Sequence, residues 1–278
     1  MERQDDFEQA TRMDRQGDHL WTTHLRPDWG LWSPAGGYIT ALALRAVGEA
    51  TAFARPASMT CHFLRMGAYA PAEVRVESVK AGRRSELLKA DLVQDGKTLL
   101  TCHVWAVPDT APGLAHDDTR ENLPAPLSVP TIETQYPDQP VHPFFQRFEQ
   151  RPIRGMPRAG DAARAAELTG FYRFTPNGKA SDPFVDAGRV LLLLDTFGWL
   201  AQYPAHPEDD PSPWIAPNID YHYRFHRLTQ HADWLHMRVK APIALDGMMS
   251  TDGEIRDEAG HLLVTGSSQL MCLPRPGA

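Results

Sequence analysis

The chain has 278 residues, enough for one large domain or two ordinary ones, and its 42% hydrophobic and 23% charged content is that of a globular protein. A formal charge of −7 argues against the clustered basic surface of a nucleic-acid binder. No apolar run approaches the roughly 20 residues that a membrane-spanning helix needs.

The polar, acidic start, residues 1–6, does not read as a signal sequence. The three cysteines, Cys61, Cys102 and Cys272, form no CxxC pair and lie in apolar, strand-like stretches. They predict buried thiols in a reducing, cytoplasmic setting. Ser33-Pro34-Ala35-Gly36-Gly37 is a helix-entry signal, with a helix predicted through Val47. Val74 and Val76 alternate with Glu73, Arg75 and Glu77, the period-two signature of an antiparallel strand with one buried face. Asp95-Gly96 predicts a hairpin turn before the next strand. Eight prolines from Pro108 to Pro143 cannot occupy central strands. Residues 108–142 are therefore expected to be a linker, or a strap over the surface, between an N-terminal repeat (1–107) and a C-terminal repeat (143–278). The basic stretch 151–164, broken by Pro, Gly and Asp, reads as a solvated loop.

Residues 190–200 are almost wholly apolar and predict a buried helix. One carboxylate, Asp195, sits inside it with no cation beside it in sequence. A buried carboxylate is costly unless hydrogen-bonded. Asp195 is therefore satisfied by partners from elsewhere, does chemistry, or both. A helix cap is the structural alternative, but four leucines precede Asp195 where a cap usually follows a loop.

The chain repeats itself weakly. Residues 59–65 resemble 220–227 at an offset of roughly 160, both aromatic and ending in Arg, and residues 95–104 resemble 258–267, the latter with a turn at Ala259-Gly260. An offset of about 158 places Gly37 opposite Asp195. Leu235, Met237 and Val239 alternate with polar residues in the second half. Each half reads as a buried helix followed by about four antiparallel strands curved around it. Two such halves can join their sheets side by side, removing an edge from each.

Four motifs carry a family resemblance: the Gly36-Gly37 helix start, Cys61-His62-Phe63-Leu64-Arg65, Ala216-Pro217-Asn218-Ile219-Asp220 running on to Arg227, and Gly266-Ser267-Ser268-Gln269-Leu270-Met271. In this order and spacing they resemble the double hot-dog acyl-CoA thioesterases, the TesB-like acyl-CoA thioesterase II family, from about Trp21 to Pro274. The resemblance implies an α+β double hot-dog fold, two antiparallel sheets each wrapped around a central helix. It implies hydrolysis of acyl-CoA to free fatty acid and CoA without metal or cofactor, by a homodimer or higher oligomer. Carried over, the catalytic set is Asp195 as activator of water, with Asn218 and Gln269 orienting it. Asn218 stands where the family has Thr or Ser, but an amide still donates and accepts hydrogen bonds. Gly36 and Gly37 are expected to offer backbone to the ligand, and Tyr38 stands where the family often has Gln. Such chemistry needs a carboxylate whose pKa burial has raised, and donors for the oxyanion.

Other chemistries fit less well. His222 and His226 share a strand face, but no HExxH and no third ligand accompany them. No G-x-S-x-G elbow serves a serine nucleophile. A hot-dog hydratase carries a His shortly after its helical Asp, and none occurs here before His206. A non-catalytic acyl- or acyl-CoA-binding protein of the same fold is the remaining alternative. Trp199, Trp214 and Phe197 are candidates for plugging an acyl tunnel.

Overall fold

A computed structural model describes residues 6–117, 119, 122–139, 141–158, 160–207 and 212–275; the acidic start at 1–5 and Pro140 lie outside the described residues. In chain order the first half holds α1 (Phe7–Ala10), β1 (Asp14–Arg15), β2 (Leu20–His24), α2 (Gly36–Ala50), β3 (Arg55–Phe63), β4 (Pro71–Ala81), β5 (Glu86–Gln94) and β6 (Lys97–Val107). Then come α3 (Ile132–Gln135), β7 (Phe148–Arg154), β8 (Glu167–Phe174), α4 (Pro183–Leu200), β9 (Trp214–Ile215), β10 (Asn218–Phe225), β11 (Leu235–Leu245), β12 (Met248–Arg256), β13 (Leu262–Met271) and β14 (Leu273–Pro274). In both halves one long helix is followed by four long antiparallel strands.

The sheets of the two halves are not separate. They form one 12-stranded antiparallel sheet, in the order β1-β2-β4-β5-β6-β3-β10-β13-β12-β11-β8-β7, with β9 and β14 paired apart from it. The joint is the β3–β10 pair, where Thr60 lies opposite His222 and the two side chains meet at 2.7 Å. Each strand would otherwise have shown a row of unpaired amides, so joining satisfies both edges. Strand order reads alike outward from this joint, which marks a pseudo-two-fold axis through it.

Both long helices lie on the buried side of this sheet and pack against each other. Leu191, Leu192, Leu193 and Leu194 are wholly or almost wholly buried, because α4 has α2 on one side and strands on the others. Asp182, not Asp195, caps α4, accepting from the N–H groups of Phe184 and Val185. The hairpin turn at Asp95-Gly96 is present, with both residues at positive φ. A second of the same kind stands at Asp246-Gly247.

The proline-rich segment is laid over the sheet. Val129 packs with the outward-facing Phe171 and with Trp234, Arg151 donates to the Val129 carbonyl at 2.6 Å, and Gln135 donates to the Pro152 carbonyl at 2.9 Å. The basic stretch expected to be a loop thus begins inside β7, where Arg151 stacks over Trp234 and pairs with Glu149. Among the described residues, no helix is long and apolar enough to cross a membrane.

Candidate active site

Asp195 is the thirteenth residue of α4 and points at the start of α2, the helix across the two-fold. Its Oδ2 accepts from the Gly37 backbone N–H at 2.7 Å, and its Oδ1 accepts from Asn218 Nδ2 at 2.7 Å. Ala35, the residue at the cap of α2, has no side-chain group to give, so Asp195 caps that helix from another element. Close approach requires the two glycines. A Cβ at Gly36 would meet Asp195 Oδ1 at 2.5 Å, and one at Gly37 would enter the backbone of α4 at Leu192.

Burial pushes the Asp195 carboxyl up, the Gly37 and Asn218 hydrogen bonds pull it back, and the balance lies at about 6. No cation among the described residues offsets the charge.

Asn218 reaches Asp195 because of a β-bulge. The β10–β13 register slips between Asn218 and Asp220, so Asn218 pairs with the buried Leu270 while Asp220 pairs with Gln269. A one-residue slip moves a side chain to the other face. Asn218 thereby joins the helix side. Its Oδ1 is buried and accepts no hydrogen bond among the described residues.

The same register corrects the expected third member. Gln269 stands between the buried Ser268 and Leu270 and takes the sheet face away from the helices, where its Oε1 accepts from Ser250 at 2.8 Å. It does not meet Asp195. Tyr38 is also misplaced by the sequence reading. It is fully buried under Trp29, donates to the Ala10 carbonyl at 3.2 Å, and burial pushes its hydroxyl up to about 12. It forms part of the core and does not line the pocket. Of the glycine pair, Gly37 spends its N–H on Asp195, and Gly36 alone fronts the open space.

That space is a pocket of about 420 Å³. Asp195, Asn218 and Gly36 lie in its wall, with Ile39, Phe63, Phe145, Trp199 and Leu200 supplying apolar surface. Of the three aromatic candidates for the acyl tunnel, Trp199 lines this wall. Phe197 packs instead into the aromatic cluster of Phe148 and Tyr172, and Trp214 is half-exposed on β9, outside the pocket lining. Sequence reading missed Arg65 and Arg275 as pocket residues; neither has a carboxylate partner among the described residues. It also missed Phe145, whose signal was the apolar pattern resuming just after the proline-rich stretch.

The two-fold-related end of the helix pair shows what this site would be without its carboxylate. Gly37 and Phe184 are each second in their helices, and Asp195 and Gly48 each thirteenth. The counterpart of Asp195 is therefore Gly48, not Gly37 as the 158-residue offset had it. A Cβ at Gly48 would meet the Phe184 side chain at 2.7 Å, so that end is filled by a ring. Among the described residues, no group of three His, Cys, Asp or Glu could hold a metal ion. His222 and His226 each bond a threonine, Thr60 and Thr265.

The hot-dog fold is that of solved proteins with which this chain aligns over nearly its whole length. The tesB protein of Mycobacterium avium subsp. paratuberculosis aligns at 19% identity and a TM-score of 0.78, covering 96% of this chain and 98% of that one. A conserved protein of unknown function with a hot dog fold from Alicyclobacillus acidocaldarius aligns at 19% and 0.80, covering 97% and 98%. Acyl-CoA thioesterase II TesB2 from Mycobacterium marinum aligns at 18% and 0.77, covering 98% and 100%. No curated protein matches the sequence. Two family models do: the acyl-CoA thioesterase N-terminal domain over residues 25–107 and the acyl-CoA thioesterase C-terminal domain over residues 118–272. On that match, spanning both halves and the pocket between them, the chain belongs to the acyl-CoA thioesterase family.

Proposed function

We propose that the chain hydrolyses acyl-CoA thioesters to free fatty acid and CoA, with Asp195 as general base and Asn218 positioning the water. The observation that carries this reading is a buried carboxylate in the wall of an apolar pocket, with its pKa raised to about 6 and no cation among the described residues to quench it. At neutral pH such a group is ionised yet basic enough to take a proton in the transition state. Water between Asp195 and the free Asn218 Oδ1 would donate one hydrogen to each, leaving a lone pair for the acyl carbon.

Water oxygen bonds to the thioester carbon while Asp195 takes its proton, and the carbonyl electron pair moves onto oxygen. Collapse restores the carbonyl, breaks the C–S bond, and the thiolate leaves with the proton that Asp195 held. The start of α2 supports the oxyanion through its dipole and the Gly36 N–H, an amide the helix itself does not use. Arg65 and Arg275, unpaired with carboxylates, suit the phosphates of CoA. The homodimer or higher oligomer implied by the family layout belongs to the same reading, and light scattering of the purified protein measures it.

The test is thiol release from a panel of acyl-CoAs from acetyl to palmitoyl. Turnover with a chain-length optimum is expected. Tight binding of an acyl-CoA by a folded protein without turnover would replace the enzyme with an acyl-binding protein.

A further inference from the structure

The helix face that carries Asp195 into the pocket carries Thr196, Trp199 and Leu200 with it. A mid-helix threonine ordinarily donates its hydroxyl hydrogen to the carbonyl four residues earlier. Thr196 does not: its Oγ is buried and has no hydrogen-bond partner among the described residues. A valine would fill the same volume without leaving a buried hydroxyl unpaired, so the hydroxyl calls for an acceptor that arrives with a ligand.

The site's other polar groups indicate which acceptor. Asp195 offers carboxylate oxygens, and Asn218 gives one amide hydrogen to Asp195 while its buried Oδ1 accepts no hydrogen bond among the described residues. Both therefore face the water as acceptors. The Gly37 N–H is spent on Asp195. On the two helices beside Asp195, the Gly36 N–H and the Thr196 hydroxyl are donors left without a partner among the described residues.

We propose that Thr196 is a further catalytic residue, its hydroxyl donating a hydrogen bond to the thioester carbonyl oxygen as that oxygen takes up negative charge. This rests on the hydrolase reading above. The hydroxyl keeps its proton throughout; no bond is made or broken at Thr196, and the water's proton travels only through Asp195 to the departing thiolate. A donor that strengthens only as charge develops acts on kcat and leaves KM alone.

The experiment is steady-state thiol release from the best acyl-CoA of the panel, comparing wild type with Thr196→Val and Thr196→Ser. Thr196→Val should lower kcat by about 10- to 100-fold with KM within about threefold, while Thr196→Ser stays within about threefold of wild type. Thr196→Ala, which cannot overfill the wall, should repeat the valine result. A valine variant within about threefold of wild type in kcat overturns the inference, as does a serine variant that falls as far as the valine. Wild type inactive on every acyl-CoA removes the hydrolase reading and this inference together, whereas an active wild type beside an unimpaired valine variant removes this inference alone.

Discussion

Asp195 serves two ends that make different demands on its proton. As a cap for α2 it accepts two hydrogen bonds, which favour the ionised form; as a buried group in an apolar wall it favours the neutral one, and burial wins. A folded-state pKa of about 6 against the ordinary 3.8 means the folded protein holds this proton more tightly than the unfolded chain. The contribution is fully favourable below about pH 4 and is lost as pH rises from 4 through 6, by about 3 kcal/mol. Asp195→Asn should then raise the melting temperature at pH 7.5 by several degrees while lowering thiol release at least about a hundredfold. The amide oxygen can still accept from Gly37, and a half-turn of the Asn218 amide brings its Oδ1 to accept from the new NH2. Calorimetry beside the activity assay checks both halves, and a destabilised variant would mean that the carboxylate is worth more to the fold as an ion than its burial allows. Asn218→Ala and Gln269→Ala separate the two amides: the first should lower kcat by at least about tenfold, the second by no more than about threefold, because Gln269 lies across the sheet from the pocket. Equal losses would contradict that placement. Asp195 was legible in the sequence because a lone carboxylate among leucines is conspicuous. The position of Gln269 was not, because a side chain's face depends on register, and the bulge at Ile219 leaves no mark in the local sequence.

At the scale of elements, the site is made where the start of α2 meets the later turns of α4, two helices packed along their length. The helix beginning at Gly36-Gly37 and the buried α4 were both readable, one from its entry signal and one from its unbroken hydrophobicity. Their mutual approach was not. Gly37→Ala places a methyl against the Leu192 backbone, which cannot rotate aside. It should destabilise the fold by at least about 2 kcal/mol, measured by urea denaturation. Gly48→Ala meets only the Phe184 side chain and should lose less. A neutral Gly37→Ala would show that the helices can part by several tenths of an ångström without loss. The repeat was visible in the strands, where residues around Arg65 and Arg227 match. It misled in the helices, whose distances from their strands differ, so one offset could not serve both.

The whole molecule is a pair of half-units sharing one sheet and one helix–helix contact across a pseudo-two-fold axis, with the Asp195 pocket at one end of that contact and the Phe184 ring filling the other. The two-sheet layout implied by resemblance became one sheet because β3 and β10 satisfy each other's edges. We place the boundary between halves in 108–142, and Leu114, 98% exposed, is the most accessible apolar side chain among its described residues. Limited chymotrypsin digestion should cut there first, and the two fragments should still co-elute without denaturant, held by β3–β10 and by α2 against α4. Fragments that separate would mean the joint is too weak to define one body. The direct test of the account is the pH dependence of kcat/KM for thioester hydrolysis by wild type between pH 5 and 8. With Asp195 as base, the rate should rise about tenfold per pH unit up to about 6 and then level. A profile flat across that range, or rising only well above pH 7, would show that a different group activates the water.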